Sequence, residues 1–540
     1  MGFIGRGIAV MRLTRVLALL LELLVTGLLV TGLLTAGLSG PAAAAGAADA
    51  LGRFAVEHFI VTGDNPLSQA DTAAVLAPHL GPQVGLNDLT ATVHALEDAL
   101  RNHGYLFHRV LLPPQTIERA TVTLRVEPFK IGAVTVTGNT HFSVENVRRA
   151  VPQIRTGPPP EVQPLTRSLL LANDNPARHI SLNLKESAAA DAVDAELVVK
   201  DRKPWTVFAN GSNVGTADAG RTRLAVGVQD ANLFGYDDAL ALSYTTSPES
   251  WSAVKQWGAN YKVPLYGIGG VTALYYAHSD VDSGRIQNVF DVSGAGDFFG
   301  LSYTQYLWDI GALRQHISLG VDDRDFQNNV SFLGTPIGSD VHSRPATLRY
   351  QANYRGPGLS GGVTLGYSRN LRGGSHNDTG SYRRVRTGAQ QDWDAWHYSG
   401  NLTLALPWAM QLRLAVEGQY AGEALIPGEQ FGIGGATSVR AFEERSITGD
   451  DGTFGNVELY APPLGYGVQV LGFVDAGQVH RHRAQAGELR NDTVVSAGAG
   501  ARWQWQDNLA LSLDVAHEIT AASTTGAGRA KVHFNLFVRY

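Results

Sequence analysis

The chain has 540 residues, of which 44% are hydrophobic and 17% are charged, so it is too long for one ordinary domain and too polar for a bundle of membrane-spanning helices. It contains no cysteine, which excludes disulfide bonds and thiolate metal sites. Its formal net charge of −6 provides no basic field that would attract nucleic acid. The 61 glycines favour a β protein with many tight turns, because glycine readily adopts positive φ.

The N-terminal segment, residues 1–45, is predicted to be a secretory signal peptide. Arginines precede the apolar run Val16–Leu38, and Ala43 and Ala45 form a small-residue cleavage pattern. The apolar run is long for a signal peptide, so an uncleaved membrane anchor is the alternative interpretation. No later run reaches about 18 consecutive apolar residues. Insertion into a membrane after processing would therefore require a β-barrel.

Residues 53–127 and 129–203 are each predicted to form a small domain with the element order β-α-α-β-β. The first domain starts with a strand at Phe54–Val61, and its helix at Asn87–His103 places apolar side chains on one face. The second domain starts with a strand at Ile131–Asn139. The other predicted elements are helices at Ser68–Leu80, Ser143–Val151 and Pro164–Asn173 and strands at Leu106–Leu112, Thr121–Val126, His179–Lys185 and Ala195–Lys200.

Residues 205–540 are predicted to form a transmembrane β-barrel. Short segments alternate apolar and polar residues with a period of two, as in Leu224/Val226/Val228, which is typical of strands between lipid and a polar lumen. A soluble β-sandwich also alternates, but it would not carry so many segments in one run behind a signal peptide. At roughly 20 residues for each strand and connection, the region holds about 16 antiparallel strands around an aqueous lumen.

The connections near the C-terminus alternate between short turns and long loops, as the periplasmic and external sides of outer-membrane barrels do. Five strands are predicted after the glycine-rich loop Phe431–Gly452. An odd number of strands places this loop on the face opposite the C-terminus. With a periplasmic C-terminus, the loop opens outside the cell.

Several motifs resemble those of known outer-membrane transporters. Phe54-x-Val-x-x-Phe-x-Val-x-Gly63, Leu112-Pro-Pro-Gln115 and Leu171-Ala-Asn-Asp-Asn-Pro176 resemble POTRA domains. The loop tip Val439-Arg440-Ala441-Phe442 resembles the inward-folded sixth loop of POTRA-barrel proteins. The segment Gly472–Gly477 is similar to the wall strand that meets this loop.

The count of two POTRA-like units and the turn Asp230–Asp238 resemble the two-partner secretion transporters of the haemolysin secretion/activation protein family. This resemblance implies an outer-membrane pore that captures an unfolded partner exoprotein through periplasmic POTRA domains and translocates it to the cell surface. One alternative is an insertase that assembles other outer-membrane barrels. Another is a passive diffusion porin, which would not need the POTRA-like region. The implied partners are the exoprotein, outer-membrane lipid and the barrel-assembly machinery, which reads a C-terminal signal formed by Phe534, Val538 and Tyr540.

The resemblance also implies a site in the barrel lumen, where Arg440 pairs with Asp475. In the predicted strand Val468–Gly477, the alternation of apolar residues places Phe473 and Asp475 on the inner face. In a wide, hydrated lumen this ion pair would be screened and would contribute about 0–1 kcal/mol, or somewhat more if it is bidentate and partly buried. The other residues implied by the two motifs are the loop glycines Gly434 and Gly435, the tip residues Val439, Ala441 and Phe442, and the wall residue Gly477.

Two features depart from the family pattern. Ala441 stands where the loop motif usually has glycine, so a positive φ there would strain the backbone. Few residues separate Ala45 from Phe54, so the family's N-terminal plug helix is expected to be absent. What closes the resting pore is left open.

No motif indicates catalysis, a cofactor or a metal. Gly358-Leu-Ser-Gly-Gly362 matches a hydrolase pattern, but it lies between strand segments without the strand-to-helix turn that a nucleophile needs. His480-Arg-His482 lies in a predicted loop without a carboxylate or thiolate partner. The sequence has no Walker or dinucleotide-binding motif.

Signal-peptide cleavage predicts that the mature chain in the outer-membrane fraction begins near Gly46. N-terminal sequencing of that fraction tests this expectation. Detection of an intact Val16–Leu38 segment would instead establish the membrane anchor.

Overall fold

The computed structural model describes residues 53–540 except 190–191, 217–218, 253, 281–283, 287–289, 293–294, 328–330, 333–334, 337–339 and 521–527. The predicted signal peptide, residues 1–45, lies outside these residues. The described residues form two compact units: the N-terminal unit holds the chain up to Arg202 together with Tyr266–Gly269, and the C-terminal unit holds Lys203–Leu265 and Gly270–Tyr540. Within the described ranges, no helix has both the length and the apolar character needed to cross a membrane.

The N-terminal unit begins with an α/β fold. Its elements are β1 (Phe54–Val56), β2 (His58–Gly63), α1 (Gln69–Leu76), a 3-10 turn (Ala77–His79), β3 (Gly81–Val84), α2 (Leu86–Asn102), β4 (His108–Leu111) and β5 (Thr121–Pro128). The main sheet has the order β2-β5-β4, and the short strands β1 and β3 pair separately. Ser68 caps α1 by accepting a hydrogen bond from the Asp71 backbone N–H. Leu96 and Leu100 of α2 are fully buried in the core below the sheet.

A second α/β fold follows in the same unit. It consists of β6 (Lys130–Thr137), α3 (Val144–Ala150), α4 (Val162–Asn173), β7 (Arg178–Glu186) and β8 (Ala192–Asp201). The sheet order is β6-β8-β7, with β6 parallel and β7 antiparallel to β8. The order β-α-α-β-β is the one that the sequence predicts. In the first fold, strand β3 was not predicted.

The C-terminal unit is a closed antiparallel β-barrel. The chain contributes β9 (Trp205–Ser212), β10 (Arg223–Asp230), β11 (Ala239–Thr246), β12 (Gln256–Leu265), β13 (Gly270–Ser279), β14 (Gly284–Ile286), β15 (Phe290–Val292), β16 (Gly296–Tyr306), β17 (Leu313–Phe326), β18 (Ser331–Phe332), β19 (Thr335–Pro336), β20 (Val341–Ser343), β21 (Pro345–Gly356), β22 (Leu359–Asn370), α5 (Thr379–Val385), β23 (Asp394–Ala405), β24 (Gln411–Ala421), β25 (Phe431–Ile433), β26 (Ile447–Gly449), β27 (Asp451–Tyr460), β28 (Val468–His480), β29 (Asn491–Trp505), β30 (Leu509–Thr520) and β31 (Ala530–Arg539). Two 3-10 turns, Pro407–Ala409 and Pro427–Glu429, complete the list.

Three hairpins, β14–β15, β18–β19 and β25–β26, lie outside the wall. Strands β20 and β21 both pair with β17 and form one interrupted wall strand. The wall therefore has 16 strands, as predicted. It closes where β31 pairs with β9 through Asn535–Arg539 and Phe208–Ser212.

Side chains along each wall strand alternate between the two faces. In β17, Leu319 and Val321 are 57% and 45% exposed on the outer face. Their neighbours of opposite parity, such as Phe326, face the lumen, and Phe326 is only 7% exposed. The predicted apolar outer face is confirmed, and it continues to the C-terminus, where Phe534, Val538 and Tyr540 are exposed.

Connections between wall strands are alternately short and long around the ring. The chain ends on the same side as the short turns, such as residues 506–508 between β29 and β30. Five strands, β27–β31, follow the glycine-rich loop, as predicted. The long connections form the external end. One of them contains the short helix α5, which the sequence pattern does not predict.

Candidate functional site

The glycine-rich loop between β24 and β27 folds back into the barrel. Its hairpin β25–β26 supports the tip, and Ser438 Oγ both accepts from the Gly434 N–H and donates to the Gly434 carbonyl, each at 2.8 Å. Gly434 and Gly435 have φ of 123° and 99°. A Cβ atom at Gly434 would lie 2.2 Å from the Glu443 carbonyl oxygen. Only glycine fits this turn without displacing the backbone.

Arg440 at the loop tip reaches the inner face of β28. Its Nε and Nη2 donate to the two carboxylate oxygens of Asp475 at 2.8 and 2.7 Å, and its backbone N–H donates to Asp475 Oδ2 at 3.1 Å. Asn456 Nδ2 and Ser496 Oγ donate to the same carboxylate at 2.8 and 3.3 Å. The bidentate fork fixes both the position and the orientation of the loop tip.

Two further carboxylates surround the guanidinium, and the sequence analysis did not identify them. Arg440 Nη1 donates to Glu458 Oε1 at 2.8 Å and lies 3.7 Å from Asp514 Oδ1. Glu458 in β27 and Asp514 in β30 both occupy lumen-facing positions. Acidic residues at inward positions of neighbouring strands are the signal that could have identified them.

Apolar side chains enclose this charge cluster. The Arg440 Cζ atom lies 3.5 Å from the centroid of the Phe473 ring, which is a cation–π contact. Gly477 leaves room for Ile433, whose Cγ2 would lie 2.8 Å from a Cβ atom there. The buried cluster around the tip consists of Ile433, Val439, Ala441, Phe442, Ile447, Phe454, Tyr460, Leu471, Phe473, Val479, Val494 and Ala516.

The Arg440–Asp475 pair is buried rather than hydrated. Arg440 is 3% exposed and Asp475 is fully buried, and the pair is bidentate, so the larger of the two expected contributions applies. The loop itself excludes water by packing its apolar residues against the wall. Removal of one partner from a buried ion pair destabilises a protein by about 3–5 kcal/mol, because the remaining charge stays in an apolar environment.

Ala441 has a φ of 86°, in the region that favours glycine. A left-handed conformation costs a residue with a Cβ about 1–2 kcal/mol. The neighbouring contacts of Arg440 hold this strained residue in place. Phe442, on the other side, is 2% exposed, and its carbonyl oxygen accepts a hydrogen bond from Lys531 Nζ at 3.2 Å.

A second buried cluster fills the external end of the lumen. We call residues 371–393, which connect β22 to β23 and include α5, the cap segment. Tyr382 and Trp393 of this segment are 0% and 2% exposed. They pack with Leu425 and Ile426 from the connection after β24 and with lumen-facing wall residues, including Ala277, Phe298, Phe326, Ala395 and Ala421. The cap segment therefore lies inside the barrel mouth.

An ion pair joins the cap segment to the base of the glycine-rich loop. Arg386 donates to both carboxylate oxygens of Asp450 and, at 2.6 Å, to the Leu425 carbonyl. Asp450 also accepts from the backbone N–H groups of Leu425 and His482 at 2.9 and 2.8 Å. Burial opposes ionisation, but Arg386 and the backbone donors outweigh it and hold the pKa of Asp450 below its usual value.

The structure also corrects the interpretation of His480 and His482. Asp451 provides the carboxylate partner that the sequence analysis did not find, and its Oδ2 lies 3.0 Å from His482 Nε2. In contrast, Ser360 of the hydrolase-like motif lies within strand β22. It therefore does not occupy the strand-to-helix turn of a hydrolase nucleophile.

The barrel, the inward-folded loop and the N-terminal α/β folds define an outer-membrane transporter of the POTRA-barrel class. Residues 192–503 match the haemolysin secretion/activation protein ShlB/FhaC/HecB family, and residues 54–128 match the ShlB-type POTRA domain. The chain belongs to this family. It is an outer-membrane translocation pore of two-partner secretion, with its POTRA region in the periplasm.

Similar proteins agree with this assignment. The heme/hemopexin transporter protein HuxB of Haemophilus influenzae strain 86-028NP is 24% identical over 83% of this chain and 80% of its own length. The outer membrane transporter CdiB of Dickeya dadantii is 22% identical over 81% and 77%. The solved structure of CdiB from Escherichia coli covers 94% of this chain and 92% of its own, at 17% identity and a TM-score of 0.73. That structure shows the same fold.

The buried geometry predicts that Arg440→Ala destabilises the folded barrel by about 3–5 kcal/mol, because Asp475 and Glu458 lose their shared cation. The matched control is Arg413→Ala, whose guanidinium is 53% exposed and lies 3.9 Å from Glu458. This control should change stability by about 0–1 kcal/mol. Urea unfolding of the detergent-folded barrel measures both values. An equal loss of unfolding free energy in the two variants would contradict a buried ion pair that anchors the loop tip.

Proposed function

We propose that this pore captures an unfolded exoprotein along one edge of its N-terminal unit and passes it through the lumen after the loop and cap segment move. The POTRA domains span residues 53–127 and 129–203, and residues 205–540 form the pore. The observation that supports the proposed capture is an open sheet edge at β7. Within the described part of the chain, β7 pairs with β8 alone, so its other side can accept another strand.

Backbone contacts show which groups of β7 are available. The side chain of Asn173 accepts from the Ile180 N–H at 2.7 Å and donates to the Ile180 carbonyl at 3.0 Å. The backbone of Ile180 therefore points away from β8. Because backbone groups alternate along an antiparallel strand, those of Leu182 and Leu184 point to the same open side. These two residues offer hydrogen bonds to an added strand.

An apolar pocket lies beside this open edge, within the N-terminal unit. Its volume is about 340 Å³. The residues that line it are Leu106, Phe107, Val162, Leu165, Thr166, Leu169, Asn173, Ile180, Ser181, Leu182 and Leu184. An extended segment paired with β7 places alternate side chains toward such a pocket, so backbone bonds provide affinity and apolar side chains provide selectivity.

In the lumen, the contacts of Arg440 support a role in positioning the loop tip rather than in catalysis. Arg440 holds the loop tip against the wall, and the packed Val439 and Phe442 help to keep the strained Ala441 in place. We assign no enzymatic step to the chain. The cap segment closes the external end in the resting state. Export then requires that the Arg386–Asp450 contact breaks.

An insertase that assembles other barrels is the alternative function. The observation in its favour is the seam between β31 and β9, which has five paired positions, whereas β28 and β29 have 13. The C-terminal residues Phe534, Val538 and Tyr540 face the outer side, toward lipid, where the barrel-assembly machinery would read them. Secretion by a variant with this seam locked would favour the pore over the insertase.

Substitution of Leu182 by proline is expected to abolish exoprotein secretion, because proline removes the N–H that an added strand needs. The pairing with β8 is retained, since this N–H points to the open side. Leu182→Ala is the control for the side chain: it keeps the N–H and should reduce secretion only partly. Secretion is measured at equal barrel abundance. Normal export by Leu182→Pro would exclude capture at β7.

Arg386→Ala is expected to open the external end of the pore. Loss of about 3 kcal/mol from the closed state would raise the open fraction roughly 100-fold. Arg372→Ala is the matched control in the same cap segment, since Arg372 is 77% exposed and pairs with Asp392. Conductance in planar lipid bilayers measures the open fraction. The same conductance for both variants would contradict closure by the cap segment.

A further inference from the structure

Three metal-ligating side chains converge at the external rim of the barrel. Asp451 is the first residue of β27, and it pairs across the sheet with His480, the last residue of β28. His482 follows two positions later. One ligand atom from each of these residues lies within 4.8 Å of the other two. All three are partly buried.

Hydrogen bonds hold the ligand atoms in the forms that bind a metal. His480 Nδ1 lies 2.7 Å from Asn491 Oδ1. An amide oxygen only accepts, so Nδ1 carries the proton and the Nε2 lone pair is available. Asp451 Oδ1 accepts from the Ala421 N–H at 2.7 Å, which orients the carboxylate and directs Oδ2 to His482.

The environment of His482 contains too many acceptors for one proton. Its Nε2 lies 2.7 Å from the Ala421 carbonyl oxygen and 3.0 Å from Asp451 Oδ2. A single N–H cannot point well at both oxygens. A cation in place of that proton would satisfy the imidazole nitrogen and the carboxylate together. The side chains of His482 and Asp451 are 27% and 19% exposed, so an ion can enter from the outer medium.

We propose that Asp451, His480 and His482 bind a divalent transition-metal ion, and that Zn²⁺ is a suitable probe. Two imidazoles and one carboxylate are a donor set of catalytic and regulatory zinc sites, with water in the fourth position. Hard cations such as Mg²⁺ and Ca²⁺ prefer oxygen ligands and are disfavoured by a set with two imidazoles.

The bound ion ties together three parts of the rim. Asp451 belongs to β27, His480 to β28 and His482 to the connection that follows. The preceding residue, Asp450, holds Arg386 of the cap segment. An ion at Asp451 therefore restrains the strand end that carries the cap contact. Metal binding is expected to raise the unfolding temperature of the barrel.

Titration calorimetry of the untagged, EDTA-treated mature protein in detergent with Zn²⁺ tests the proposal. We expect one saturable site, weakened at least about tenfold by His480→Gln, His482→Gln or Asp451→Asn. Asn491→Ala should also weaken it about tenfold, because it frees the His480 ring. His94→Gln is the matched control, since this histidine is 68% exposed in the N-terminal unit. It should bind as the wild-type protein does.

Co²⁺ provides a second measurement that does not depend on the variants. Wild-type protein should develop visible d–d absorption with Co²⁺ that Zn²⁺ abolishes. Absence of a saturable Zn²⁺ site, absence of that spectrum, or unchanged affinity in His482→Gln would each overturn the proposal. A loss in His94→Gln equal to that in His482→Gln would overturn it as well.

Discussion

The backbone of a membrane-spanning strand cannot leave its N–H and C=O groups without partners in lipid, and closure of the sheet is the solution that this chain adopts. In the closed wall of 16 strands, successive side chains alternate between lipid and lumen. A barrel of that size encloses a space that its own wall side chains do not fill. Two inserted segments, the glycine-rich loop and the cap segment, occupy that space in this structure.

A buried arginine ion pair contacts each inserted segment. Arg440 binds Asp475 and Glu458 near the loop tip, and Arg386 binds Asp450 at the cap. Because both arginines are nearly fully buried, desolvation offsets much of the attraction within each pair. Such contacts specify one arrangement strongly while contributing little net stability compared with apolar packing. Contacts that specify an arrangement but add little net stability suit the loop and the cap segment, which under the proposed mechanism hold the pore in one state and rearrange during export.

The sequence predicted the fold well because period-2 alternation and turn spacing are local signals. It also predicted the meeting of Arg440 and Asp475, through a resemblance in the loop and the strand parity of Asp475. It could not show that the pair is buried, since burial depends on Val439, Phe442 and wall residues brought together by ring closure. Helix α5 was missed for a related reason: seven residues, Thr379–Val385, are too few to show periodicity. The pairing of Asp451 with His480 depends on register between strands, and sequence spacing does not reveal it.

Passage of the exoprotein through the lumen can be tested directly, because the chain contains no cysteine. In β17, Ser318 faces the lumen, where its Oγ lies 2.8 Å from Thr304 Oγ1, and its neighbour Leu319 is 57% exposed on the outer face. A single cysteine is placed at either position, and an exoprotein that carries one cysteine is stalled during export by a folded domain. Transport through the lumen predicts a disulfide with Ser318→Cys and none with Leu319→Cys. A disulfide with Leu319→Cys alone, or equally with both, would contradict it.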